Sequence, residues 1–253
     1  MLQRISAVVQ SHPVLWRGAW SLVHRFSFLL PHDVSYRGVR HLGLPAGGLV
    51  LDVGANDGIS ALSFRKLLPS NPVLSVEISP RHESTLRQLK SRMPNFDYVL
   101  VGAGDVHDKL RLYTPTYRGI LLHTFAGVDS VDVRSALTTA FGQTVSDRCV
   151  MLEDDASIQP LDDLGVEPAF IKIDVEGMGN AVLRGLRQTI ERSRPAMMIE
   201  VEPSEMEAML AFVAPFGYEA MVYHAERDTL APFESADTFF GEANKNLYFV
   251  SRR

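Results

Sequence analysis

Three short stretches carry residue types that do chemistry together. The first is Leu51-Asp52-Val53-Gly54-Ala55-Asn56-Asp57-Gly58. Glycine adopts positive φ without strain and has no side chain, so Gly54 and Gly58 let the chain turn sharply and let a ligand lie against bare backbone. A helix begun after such a turn offers unpaired N–H groups. The spacing is Gly-x-x-x-Gly, not the Gly-x-Gly-x-x-Gly that holds a pyrophosphate, and no Gly-Lys-Ser/Thr follows as in a phosphate-cradling loop. A turn with no phosphate to hold suits a smaller zwitterion such as methionine. Asp52 either orders this turn or engages an ammonium, directly or through water.

The second stretch is Val73-Leu74-Ser75-Val76-Glu77. Glu77 ends this apolar run about 20 residues after the glycines, where nucleotide-binding α/β folds place an acid on ribose hydroxyls. The third is Phe170-Ile171-Lys172-Ile173-Asp174-Val175-Glu176-Gly177. Lys172, Asp174 and Glu176 alternate with apolar residues and share one face of a strand. Three charges on a buried strand are costly unless paired or used. The pattern reads either as a structural Lys–acid network or as carboxylates emerging at the carboxyl edge of a sheet, where open α/β folds bind ligands. Asn56 in the turn, Ile78 after Glu77, and Asp105 farther on complete the candidate cofactor contacts with Asp52, Gly54, Gly58 and Glu77.

Alternating elements must position these residues. Leu49–Val53 predicts a strand, Ile59–Leu68 a helix stopped before Pro69, Val73–Glu77 a strand, Arg81–Met93 a helix stopped by Pro94, and Tyr98–Val101 a strand. Further on, Ala169–Asp174, Met197–Val201, Tyr218–Tyr223 and Leu247–Val250 predict strands. Ala181–Ser193 predicts a helix, and Ser204–Pro215 holds another capped by Ser204. Such alternation implies a parallel sheet with helices on both faces. Residues 105–148 are less regular and read as a substrate-side insertion, with Leu110–Tyr113 a candidate strand. Residues 1–45 read as a helical cap or peripheral segment, turn-rich after Pro31, and 46–253 as the cofactor-binding domain.

Composition narrows the classes. The chain has 253 residues, 46% of them hydrophobic and 22% charged, enough apolar material for a packed core. Net charge is −5, which argues against a nucleic-acid partner. Cys149 is the sole cysteine and lies in an apolar run, so an internal disulfide is impossible and a buried core thiol is expected. There is no Asn-x-Ser/Thr site. These features point to a reducing, cytoplasmic location. Residues 1–32 hold no acid but carry Arg4, Arg17 and Arg25 among Trp16, Trp20, Phe26 and Phe28. That segment reads as a cap on the domain or as an amphipathic contact with a membrane surface.

The turn Asp52-Val53-Gly54-Ala55-Asn56-Asp57-Gly58, the strand-end Glu77, and above all Ile171-Lys172-Ile173-Asp174-Val175-Glu176-Gly177 followed by Val182-Leu183-Arg184-Gly185 resemble the FkbM family of S-adenosylmethionine-dependent methyltransferases, over about residues 48–224. The resemblance implies a class I methyltransferase Rossmann-like fold: a mostly parallel, seven-stranded sheet with an antiparallel strand near the C-terminus. It also implies O-methylation of a sugar, glycolipid or natural-product hydroxyl. The chain departs from the family at Asn180, where an acid is usual. A hydroxyl acceptor gains from a positioned base. Asp174 is the first candidate near the methyl group and Glu176 the second, with Lys172 orienting a carboxylate or stabilising an alkoxide. His123 is a further candidate base, unless it is simply a solvated loop residue. Asp174 and Glu200 could in principle face a magnesium ion, but no metal is assigned. A nicotinamide-dependent oxidoreductase and a non-catalytic protein that keeps the cofactor fold are the alternatives. The first is disfavoured by the glycine spacing, and the second draws on Asn180.

Overall fold

The computed structural model describes residues 33–175, 177–241 and 244–251. The expected N-terminal cap or membrane contact over 1–32, and Glu176, lie outside them. By internal contacts the chain forms two units, one of Lys109–Ala156 and one of the described residues before Asp108 and after Ser157.

The larger unit opens with a 3-10 helix over Val34–Leu42, where the sequence reads as turn-rich; Asp33 caps it by accepting from the Ser35 N–H. There follow β1 (Leu49–Val53), α1 (Ile59–Leu67), β2 (Val73–Glu77), α2 (Glu83–Arg92), β3 (Phe96–Leu100) and β4 (Gly102–Gly104). The chain then runs through β5 (Asp108–Tyr117), β6 (Ile120–Leu121), α3 (Ser130–Phe141), α4 (Gln143–Arg148) and β7 (Val150–Pro160). It returns in β8 (Pro168–Ile173), α5 (Gly179–Gly185), α6 (Arg187–Ser193), β9 (Ala196–Glu200), α7 (Met206–Val213), β10 (Tyr218–His224), β11 (Thr229–Pro232), α8 (Ala236–Gly241) and β12 (Asn246–Ser251).

The main sheet has eight strands in the order β11-β10-β12-β9-β8-β1-β2-β3. β1 lies parallel between β2 and β8, and β12 runs antiparallel to both β9 and β10. The expected count of seven is exceeded by β11, which folds back on β10 beyond a turn where Asp228 has φ 48°. Thr229-Leu230-Ala231-Pro232 is too short and too close to proline to show as a strand in sequence.

The central strands are apolar runs because both of their faces are covered. Leu51, Val53, Ile171 and Ile173 point into one apolar cluster with Val182, Leu183 and Ile190 of α5 and α6. Val50 and Phe170 point the other way, into a cluster with Phe64, Leu86 and Tyr36. Period-two alternation therefore sends Asp52 and Lys172 to the Phe64 side, and the register sets them side by side: Asp52 is the partner of Ser75 on β2 and of Lys172 on β8. A polar row, Ser75–Asp52–Lys172, crosses three strands inside an apolar layer.

The smaller unit is ordered where the sequence reads as irregular. β5 and β6 form a hairpin with Tyr117 opposite Ile120, and Arg118 and Gly119 in its turn both have positive φ, as a type I′ turn requires. Asp129 caps α3 by accepting from Val131 and Asp132 N–H. Its core joins Tyr117, Leu122, Val133 and Leu137 with the buried Cys149, whose thiol pKa is raised by burial.

Candidate functional site

The polar row ends at the carboxyl edge of the sheet. Asp52 is wholly buried. Its Oδ2 accepts from Ser60 Oγ at 2.7 Å, in the first turn of α1, and from Ser75 Oγ at 2.8 Å. Its Oδ1 faces Lys172 Nζ at 3.3 Å, an ion-pair contact rather than a directed hydrogen bond. Lys172 is 2% exposed; its Nζ donates to the Gly54 carbonyl at 2.7 Å and lies 3.3 Å from Asp174 Oδ2. Burial works against the lysine charge, but Asp174 and Asp52 on either side overcome it, so the ammonium is held protonated above its ordinary range.

This geometry sharpens two expectations. The ammonium that Asp52 engages is that of Lys172, and Asp52 orders the turn from within. Lys172 orients a carboxylate, that of Asp174, whose side chain is 35% exposed while that of Lys172 is 2% exposed.

The turn is built by close approach. Gly54 has φ 76° and Gly58 φ 86°. The Gly54 and Ala55 N–H groups donate to the Val76 carbonyl at 2.9 and 3.2 Å, and the Asp174 N–H donates to the Val53 carbonyl at 3.1 Å. A Cβ at Gly54 would lie 1.8 Å from the Asp174 carbonyl oxygen, and one at Gly58 would lie 2.7 Å from Leu89 Cδ2. Backbone packing thus demands glycine at 54 before any ligand is considered, while at 58 it is the positive φ that favours glycine.

Glu77 clamps the turn from β2. Its Oε2 accepts from the Asn56 N–H and its Oε1 from the Ser79 N–H, each at 2.7 Å. Burial raises its pKa, opposed by those two N–H groups and by Lys172. Asn56 is held at φ 52°, and its shielded Oδ1 has no hydrogen-bond partner among the described residues. A buried acceptor left unpaired is costly. Together with the Glu77 oxygens, one of which holds the Asn56 N–H, it supplies acceptors that suit a ligand rich in hydroxyl and amino groups.

The expected residues are therefore brought together only in part. Asp52, Gly54, Asn56, Glu77, Lys172 and Asp174 form one network. Ile78 packs beside Gly102, where a Cβ would lie 2.6 Å from its Cδ1. Asp105 follows β4, its Oδ2 accepting from Arg184 Nε at 2.6 Å, which lowers its pKa. His123 belongs to the smaller unit. Among the described residues no three His, Cys, Asp or Glu side chains are grouped to hold a metal. Glu200 lies 3.4 Å from Lys245, and Asp162 caps α6 through the Gln188 and Thr189 N–H groups.

Three participants are missing from the sequence reading: Ser60, Ser75 and Glu205. The two serines sit one turn into a helix and mid-strand, and only strand register connects them to Asp52. Glu205 meets Asn180, the residue at the position of the expected acid: its Oε1 accepts from the Asn180 N–H, and Asn180 Nδ2 donates to the Glu205 carbonyl, both at 3.2 Å.

Comparison with known proteins gives a match to the methyltransferase FkbM domain over residues 52–220. No curated protein matches. Among solved structures, a methyltransferase FkbM from Methylobacillus flagellatus is 18% identical over 80% of this chain and 43% of its own, with a TM-score of 0.49. The chain thus spans less than half of that protein's length. Fibrillarin from Aeropyrum pernix, solved with bound S-adenosylmethionine, is 13% identical over 88% of this chain and 76% of its own, TM-score 0.47. A predicted O-methyltransferase from Agrobacterium tumefaciens is 10% identical over 85% and 78%, TM-score 0.45.

Proposed function

We propose, for a chain that belongs to the FkbM family of methyltransferases, that it transfers a methyl group to a hydroxyl of a sugar, glycolipid or natural product. Its cofactor is S-adenosylmethionine. The observation that carries the site assignment is the clamped Glu77. Each of its oxygens holds one backbone N–H and keeps a second lone pair, so two acceptors sit fixed at the end of β2 where a ribose diol would be read. Asn56 Oδ1 adds an unused acceptor beside them.

S-adenosylmethionine supplies a methyl group on a positively charged sulfur, an electrophile that needs a nucleophile held in line. The chain's contribution is placement and proton handling. Asp174 sits at the sheet edge with its side chain partly exposed and is the group proposed to orient an acceptor hydroxyl and take its proton. Glu205 supports the first turn of α5, its carboxylate accepting from the Asn180 N–H.

Calorimetry with S-adenosylmethionine and an isotope-labelled methyl assay over a panel of hydroxyl acceptors test the proposal. Micromolar binding that is lost in Glu77→Ala, with alkali-stable label on oxygen, is the expected result. Absence of binding by folded protein, or binding of NADH in its place, overturns the cofactor site. Label found on nitrogen or carbon overturns the hydroxyl acceptor.

A further inference from the structure

Burying an ammonium is costly, and an apolar side chain of the same length would fill the space without that cost. Lys172 nonetheless lies within the sheet, and its ammonium meets three oxygens: it donates to the Gly54 carbonyl at 2.7 Å and forms ion-pair contacts with Asp52 Oδ1 and Asp174 Oδ2, each at 3.3 Å. These partners come from different parts of the site. Asp52 is the buried anchor on β1, Gly54 is the turn proposed to hold the cofactor, and Asp174 follows β8 on the acceptor side.

We propose that Lys172 is a positioning residue: its buried ammonium ties the Gly54 turn to Asp174 and balances the local carboxylates, so that the cationic methyl donor binds without exchanging a proton. The inference rests on the S-adenosylmethionine reading above. The charged and titratable groups around Lys172 among the described residues enter the balance. Asp52 on β1 and Asp174 after β8 flank it, Glu77 on β2 senses its charge, and the buried Tyr36 hydroxyl of the 3-10 helix faces Asp174 and Asp52, with Glu200 at the end of β9 more distant. Tyr36 stays neutral, because burial and those carboxylates push its pKa well up.

With one ammonium against Asp52 and Asp174, the trio carries one net negative charge. Removing the ammonium leaves two carboxylates facing one another, one of which then holds a proton to higher pH than an ordinary carboxylate does. That protonated pair carries the same net charge as the wild-type trio, but a cationic ligand bound nearby favours its ionised form and drives the proton off, whereas the Lys172 ammonium keeps its own. S-adenosylhomocysteine, which lacks the sulfonium charge, need not.

The test is titration calorimetry of both ligands in buffers of different ionisation enthalpy, with wild type, Lys172→Met, Lys172→Arg and the double variant Lys172→Met/Asp174→Asn. Wild type and Lys172→Arg are expected to bind S-adenosylmethionine with close to no proton exchanged. Lys172→Met should release close to one proton, and its S-adenosylmethionine affinity should rise toward about tenfold per pH unit while that of S-adenosylhomocysteine stays nearly level. The double variant restores the trio's net charge and should return the proton count to zero. A Lys172→Met protein that binds the donor with unchanged, pH-independent affinity overturns the inference, as does a double variant that still releases the proton. Should Lys172→Met not fold, Asp174→Asn alone decides: the neutral trio should lower the preference for S-adenosylmethionine over S-adenosylhomocysteine several-fold, and an unchanged preference overturns the charge balance. Failure of the wild type to bind S-adenosylmethionine strikes the cofactor reading instead, so the two failures are distinct.

Discussion

Gly54 is where strand packing and site geometry meet in one residue. Its φ of 76° and the 1.8 Å approach of a would-be Cβ to the Asp174 carbonyl leave no room for alanine. The obstacle is backbone, not a flexible side-chain tip, so either β1 or the end of β8 must move. Gly54→Ala is expected to lose about 3 kcal/mol or more of stability, from a left-handed φ combined with overpacking. Cofactor binding should be lost with it, since the shift separates the Gly54 carbonyl from Lys172. Gly177 is the control: φ is also positive at 66°, but none of the described residues stands within 4 Å of a Cβ there. Gly177→Ala should cost only the conformational strain, about 1 kcal/mol. Urea unfolding of the two variants, with calorimetry on each, separates the effects; equal losses would show that φ rather than the Asp174 approach governs Gly54.

Contacts between elements make the same kind of demand. A Cβ at Gly185, at the end of α5, would lie 1.8 Å from the Gly104 carbonyl on β4. Gly185→Ala should lift α5 from β4 and cost about 2–3 kcal/mol, as overpacking against backbone does. Arg184→Ala breaks only the exposed pair with Asp105 and should leave the urea midpoint almost unchanged. If both variants unfold alike, the close packing of α5 on β4 is not what holds them. Elements of this kind were legible in sequence where pattern was local. β1 and β2 run over Leu49–Val53 and Val73–Glu77 as their apolar runs predict, and α1 differs by one residue at its C-terminus. The helix expected over Ala181–Ser193 is instead two, broken at Leu186 beside the Gly185 contact, which no local signal reports. Helix α3 escaped because Ser130–Phe141 mixes serine, threonine and valine without a clear apolar stripe. At the site, Gly54, Glu77, Lys172 and Asp174 stood out by type and spacing. Ser60 and Ser75 did not, because their meaning lies in strand register: Asp52 is flanked by Ser75 and Lys172 only once three strands align. The burial of Lys172 was hidden for the same reason, since alternation assigns a face but not what covers it.

Across the larger unit, buried groups that hold a proton share one direction of pKa shift, and this sets how the molecule responds to alkali. Lys172 is raised because Asp174 and Asp52 outweigh its burial. Tyr36 is raised by burial and by those carboxylates. Tyr218 and Tyr248 are raised mainly by burial; their hydroxyls donate to the carbonyls of Pro195 and Ser35, each at 2.7 Å. In the unfolded chain tyrosine and lysine lose their protons near about pH 10. Above that pH the unfolded state binds fewer protons than the folded one, so unfolding stability falls as pH rises. Stability from these groups is therefore complete below about pH 9.5 and is lost progressively above it, up to about 1.4 kcal/mol per pH unit for each group. Urea unfolding from pH 7 to about 11 should show a plateau and then a steep decline whose slope counts the retained protons. Tyr218→Phe is expected to lose about 1 kcal/mol at pH 7 with its hydrogen bond to Pro195, and to flatten the alkaline slope by close to one proton. A slope identical to wild type would mean that Tyr218 ionises in the folded protein as freely as in the unfolded chain, and that the hydroxyl between β10 and the Pro195 carbonyl is not shielded as its packing requires.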